Sequence, residues 1–187
     1  MRRTALLENI SPFGKLLFLL GTIILMGIVS AIIGFGAGAL LFDASMTDLS
    51  GFIQSPKGAK AVGFLQIYQI INQVGIFIIP AIFFSYFVSA SSVTYLSLEK
   101  IPKLISVLVA AIIIYTILPF NGYIDELNRN MSLPDFMQSI EQWMLSKEKH
   151  AKMLTEVFLT TSTLTGLCVN LIIVAVLPAI GEELIFR

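Results

Sequence analysis

The chain has 187 residues, of which 56% are apolar and only 13% charged, with a mean hydropathy of +0.87. Soluble domains sit nearer half apolar and a quarter charged, so this composition excludes an ordinary soluble globule, and the shortage of charge excludes a disordered chain. Twelve basic residues balance twelve acidic ones, which removes the basic field needed for nucleic acid, so no nucleic-acid partner is expected. A single cysteine, Cys168, excludes an internal disulfide framework and a cysteine-rich metal site. What remains is an all-α membrane protein. The expected architecture is a polytopic transmembrane helix bundle of four membrane helices plus one amphipathic extramembrane helix, a single domain over 1–187.

The first span is expected over 16–42, free of charge and longer than the roughly 20 residues that cross a bilayer as helix. A signal peptide is the rival, because Arg2, Arg3 and Lys15 resemble its positive start. Its apolar core is normally about 7–15 residues, and this run exceeds that. Gly34, Gly36 and Gly38 point to close helix packing or to fraying, and their spacing of two departs from the small-xxx-small pattern.

The second span, 64–92, opens with Gln66, Gln69, Asn72 and Gln73, spaced by three and four. They share a helical face directed into the bundle, either as interhelical hydrogen-bond glue or as a face lined with water or substrate. Pro80 predicts a kink that leaves a backbone carbonyl to be satisfied by a neighbour or by water. A polar turn containing Pro102 leads to the third span, 104–120, closed by Pro119.

The segment 121–156 is polar. Ser132 and Pro134 mark a helix start there. Phe136, Ile140, Trp143 and Met144 form an apolar stripe, continued by Met153 and Leu154. This helix either lies in the membrane interface with Trp143 at headgroup depth or packs on the extramembrane end of the bundle. His150 sits among its charges and reads as solvated, with a metal role as the alternative. The fourth span is expected over 157–185. Arg2, Arg3 and Lys15, with Lys100 and Lys103 after the second span, place the N-terminus and the 99–103 turn in the cytoplasm. The 43–60 and 121–156 segments then lie outside.

The end of the fourth span carries the candidate chemistry. Two acids and an arginine interrupt the apolar run Leu177-Pro178-Ala179-Ile180-Gly181-Glu182-Glu183-Leu184-Ile185-Phe186-Arg187. Ionisable groups at membrane depth cost about 2.5–3.5 kcal/mol each, so they persist where they pair or work. Glu183 and Arg187 are four apart and form an ion pair on a helix. Glu182 points about 100° away, outside that pair, and is the candidate general base for activating water, with burial expected to tune it for that role. Gly181 leaves room for water or a substrate backbone, or simply packs. The plain alternative is a helix that has reached the interface, where charges are common.

The string resembles the first motif, EExxxR, of the CPBP family, the CAAX-protease and bacteriocin-processing intramembrane peptidases (Abi-like). The likeness includes the proline shortly before the acids and the phenylalanine directly before the arginine. The hydrophobic spans and the polar turn with Pro102 also suit that family. The resemblance implies a bacterial plasma-membrane endopeptidase that hydrolyses peptide bonds of a peptide or protein substrate, with or without a lipidated C-terminus, in contact with the lipid bilayer. It maps the water-activating base onto Glu182, and positions that shape the site onto Glu183 and Arg187. The family's later histidine motifs are not matched, since His150 precedes the acids. Zinc and a metal-free glutamate mechanism therefore stand equally. The chain is expected to be the N-terminal part of a longer protein and to be inactive alone. A non-catalytic membrane immunity or scaffolding protein of the same fold is the alternative.

Overall fold

The computed structural model describes residues 6–7, 9–99, 102–131, 133–161 and 163–186. It is 84% helical, with no strand among the described residues. Four helices are long and apolar enough to cross a membrane: α1 (Pro12–Phe42), α3 (Ala59–Val88), α4 (Leu104–Arg129) and α6 (Leu164–Phe186). Between them lie α2 (Met46–Gln54), a single helical turn Ser92–Tyr95 and α5 (Gln138–Leu159). The fold is that of an integral membrane protein. Its contacts divide the chain into two compact units, residues 1–98 with 152–187, and residues 99–151.

In the first unit, α1 opens with Ser11 accepting from the Gly14 N–H and Pro12 in the first turn, and it ends at Asp43 with φ 48°. It packs antiparallel on α3: Ser30 meets Gly75, Gly34 meets Tyr68 and Gly38 meets Phe64, so numbers rise along one helix and fall along the other. The buried small residues Ser30, Gly34 and Gly38 recur every fourth position. That is a small-xxx-small stripe, and it corrects the expectation drawn from glycine spacing alone. The missing side chains let aromatic rings into the seam. Phe64 is fully buried, 6.0 Å from Phe35 and 5.5 Å from Tyr68 between ring centres. Over this end lies α2, started by a reciprocal cap between Ser45 and Asp48, with Leu49 fully buried against the same cluster.

Helix α6 runs parallel to α3. Gln66 bonds Asn170, and Phe77 packs on Gly181, and both pairs are 104 residues apart. Each helix contains one widened π turn, Val74–Ile78 in α3 and Ile172–Val176 in α6. In each, the closing N–H reaches five residues back, from Ile79 to Val74 and from Leu177 to Ile172. Pro80 and Pro178 follow directly. A proline has no N–H and its ring crowds the carbonyl four residues earlier, so an extra residue in the preceding turn relieves the clash. The expected distortion at Pro80 takes this form.

In the second unit, α4 does not stop near 120 but passes through Pro119 to Arg129. The polar last turns suit a helix C-terminus, with Arg129 paired to Asp125 at 3.0 Å. Every residue of α4 is exposed. The expected cap Ser132 lies outside the described residues. A tight turn, Asp135–Met137, leads into α5; Phe136 in the turn and Ile140, Trp143 and Met144 at the start of the helix are exposed. Beyond the boundary of this unit, the last turns of α5 enter the first unit's core through Leu154, Val157 and Phe158. Residues 157–159 thus belong to α5 rather than to the fourth span. The break falls in the threonine-rich stretch before Thr163, which caps α6 by accepting from the Gly166 N–H.

Candidate active site

Glu182 and Glu183 lie in the last turn and a half of α6. With Ala179 and Phe186 they line a shallow cavity of about 390 Å³. The spacing explains the grouping, because positions 179, 182, 183 and 186 fall on one helical face. Gly181 points to the other side. A Cβ there would lie 2.7 Å from Cβ of Phe77, so Gly181 is a packing glycine that brings α6 onto α3. Both carboxylates are exposed, unlike the burial expected for the base. The reason is rotational: with Gly181 seated on α3, the next two residues turn away from the seam. Arg187, expected to pair with Glu183, lies outside the described residues.

Depth follows from helix geometry. Glu182 is about 27 Å along α6 from Leu164, at 1.5 Å per residue, against a hydrocarbon core of about 30 Å. The acids therefore sit at the end of the span. The parallel helix α3 ends at Val88 on the same side, where the Phe87 carbonyl accepts from the Leu7 N–H at 2.9 Å. The N-terminal end of α1 and the two glutamates thus share one end of this unit.

No group of three or more His, Cys, Asp or Glu able to hold a metal occurs among the described residues. Two adjacent carboxylates are an incomplete zinc set, and the described residues do not fit that ion. His150 lies half-buried on α5, in the second unit, and Cys168 is exposed on α6.

Two of the four amides on α3 act as interhelical bonds. Gln66 Nε2 donates to Asn170 Oδ1 at 2.7 Å, and Asn72 Oδ1 accepts from Ser30 Oγ at 3.3 Å. Asn72 Nδ2 also donates to the Tyr68 carbonyl at 3.0 Å. Gln69 is half-buried. Gln73 Oε1 is buried with no partner among the described residues. The partners Ser30 and Asn170 escaped the sequence analysis, although a polar residue alone in an apolar run is itself a signal.

Comparison with protein-family models, with curated proteins and with solved structures returned no match.

Proposed function

We propose that the protein acts as a membrane-embedded endopeptidase of the CPBP type in a bacterial plasma membrane, with its N-terminus cytoplasmic. Glu182 takes a proton from water, and the hydroxide formed attacks a peptide carbonyl of a peptide or protein substrate. Glu183 and Arg187 shape the site. The observation that carries this reading is the Glu182-Glu183-xxx-Arg187 string at the end of a membrane helix, with both carboxylates on an open face. An open face at the end of a span offers what hydrolysis needs, which is water beside a general base and room for a chain to approach. Stabilising the oxyanion needs donors aimed at the developing charge. The resemblance assigns that task to histidine motifs outside this chain's match.

The second reading is a non-catalytic membrane protein of the same fold. Exposure of both glutamates at the end of α6 favours it, because charges at an interface need no catalytic reason.

The deciding experiment compares the protein expressed from its complete coding sequence with its Glu182→Gln variant. The substrates are peptides with and without a C-terminal lipid. The base reading expects turnover to fall at least about 100-fold, the usual lower range for loss of general-base catalysis, with the variant still inserted and folded. Near-normal turnover in Glu182→Gln moves the base elsewhere. No turnover in either protein favours the scaffold.

A further inference from the structure

Gln73 stands apart from the other polar groups of the first unit's interior. Its neighbour in sequence, Asn72, has both ends of its amide engaged, by Ser30 Oγ and by the Tyr68 carbonyl. Gln66, two turns earlier on the face of Gln73, is bonded to Asn170. The Gln73 Oε1 atom is buried and meets no donor among the described residues. By the 104-residue offset of the two parallel helices, Gln73 lies level with Leu177. From Leu171 to Gly181 that stretch of α6 carries no side chain able to donate a hydrogen bond.

The position is as far from bulk water as α3 allows. Gln73 is 14 residues from Ala59 and 15 from Val88, or about 21–22 Å from either end of the helix. A carbonyl oxygen without a donor at that depth is costly, since neither lipid nor apolar side chains supply one. Backbone acceptors that lose their helical donor to proline lie about 4.5 Å along the axis to either side of this level, three residues beyond Gln73 on α3 and three before Leu177 on α6. Pro80 offers no N–H to the Ile76 carbonyl, and Pro178 offers none to that of Val174. Phe77 on Gly181 and the Gln66–Asn170 bond close the seam on either side of this level.

We propose that Gln73 holds a buried water molecule on the seam between α3 and α6. The water donates one hydrogen to Gln73 Oε1 and the other to a backbone carbonyl of the proline-anchored π turns. Buried waters of this kind satisfy two to four polar groups that the protein leaves unpaired. The ligand is water rather than a cation, because Gln73 and the carbonyls carry no formal charge and no carboxylate lies level with them. This site does not depend on Glu182 being a catalytic base.

The test is water-edited solid-state NMR on the full chain in lipid bilayers, with glutamine and asparagine labelled by 15N. Asn72 is the internal standard, as an amide of the same chemistry at the same depth that is already hydrogen-bonded. Magnetisation from water should reach the Gln73 side-chain amide several-fold faster than that of Asn72. Gln73→Met assigns the signal, and in that variant the fast transfer to the neighbouring Val74 and Gly75 backbone amides should also fall. Equal rates at Gln73 and Asn72 overturn the proposal whether both are slow, which means a dry seam, or both fast, which means an open water-filled face. Unchanged fast transfer to Val74 and Gly75 in Gln73→Met overturns it too, because the water is then held by something else. If Gln73→Met fails to fold, the comparison of the two amides in the unaltered protein still decides.

Discussion

Substituting Gly38 by alanine puts one methyl group where α1 meets α3. That carbon would lie 2.5 and 2.6 Å from two atoms of the Phe64 ring and 3.2 Å from Leu49 Cδ2. The ring cannot swing aside easily, since it is fully buried and ringed by Phe35, Phe42, Phe52 and Tyr68. The helices must separate or the aromatic cluster must repack, and overpacking of this kind costs about 1–3 kcal/mol. Alanine also gains about 0.5–1 kcal/mol over glycine within a helix, which hides part of the loss. Gly36→Ala supplies the correction, because a Cβ at Gly36 meets nothing within 4 Å. The difference between the two variants isolates the clash. It should be about 1–3 kcal/mol against Gly38→Ala, a roughly 5- to 150-fold change in the folding equilibrium. Reversible unfolding in mixed micelles, followed by far-UV circular dichroism, measures both. Phe64→Leu in the Gly38→Ala background should be non-additive, as expected for residues in contact. If Gly38→Ala proves as stable as Gly36→Ala, the close approach of α1 and α3 is wrong, and with it the small-residue stripe.

Gln66→Leu and Asn170→Leu should each cost about 1–3 kcal/mol, because each strands the other amide, buried Asn170 or half-buried Gln66; the double variant should cost less than the sum, with a coupling of about 0.6 kcal/mol as for other membrane interhelical bonds. Zero coupling in the same unfolding assay would deny the bond. Asp48 accepts from the Ser45 side chain and backbone, which hold its carboxyl below the ordinary 3.8, with Lys60 adding to the effect against partial desolvation. Its folded value is depressed, so its stabilisation of α2 is present above the unfolded value and is lost as pH falls below about 3.8 through the folded one; Ser45→Ala should raise the Asp48 midpoint in an NMR titration, and an unmoved midpoint contradicts the cap. Trp143 is the only tryptophan and is 61% exposed. If its half of α5 rests in the interface, bilayer lipids brominated near the headgroup should quench it more than lipids brominated at the chain end, whereas no quenching by either places it in water.

The spans were legible because a bilayer reads length and hydropathy directly, and little else is needed to fix a membrane helix. Their ends were not. Pro119 looks like a terminator, yet one lost hydrogen bond does not stop a helix whose following residues, Asn121–Arg129, can continue it to an ion-paired end. The small-residue stripe was hidden because Ser30 was not counted with Gly34 and Gly38, and Gly36 supplied a misleading spacing. The amides on α3 were readable as inward-facing, whereas their partners depended on which helices meet. At the site, the acids were visible as a string, but their exposure depended on Gly181, whose direction only Phe77 decides.

That dependence runs back to Pro80. The contact pairs of α3 and α6 lie 104 residues apart, whereas the two π turns begin 98 apart, at Val74 and Ile172. The widened turns are therefore out of step by six residues, about 9 Å along the helices. The π turn of α3 lies level with 178–182, so the segment that leads into the glutamates rests on the wide turn ahead of Pro80. A π turn inserts one residue into the helical count and shifts the faces beyond it by about 100°. In that register Phe77 faces α6, Gly181 is the only residue type that lets α6 approach without a clash at Cβ, and Glu182 and Glu183 are thereby turned outward. The widened turn ahead of Pro80 thus forms the surface on which Gly181 seats, while α6's own π turn, Ile172–Val176, sets the rotation of the segment that carries the two carboxylates.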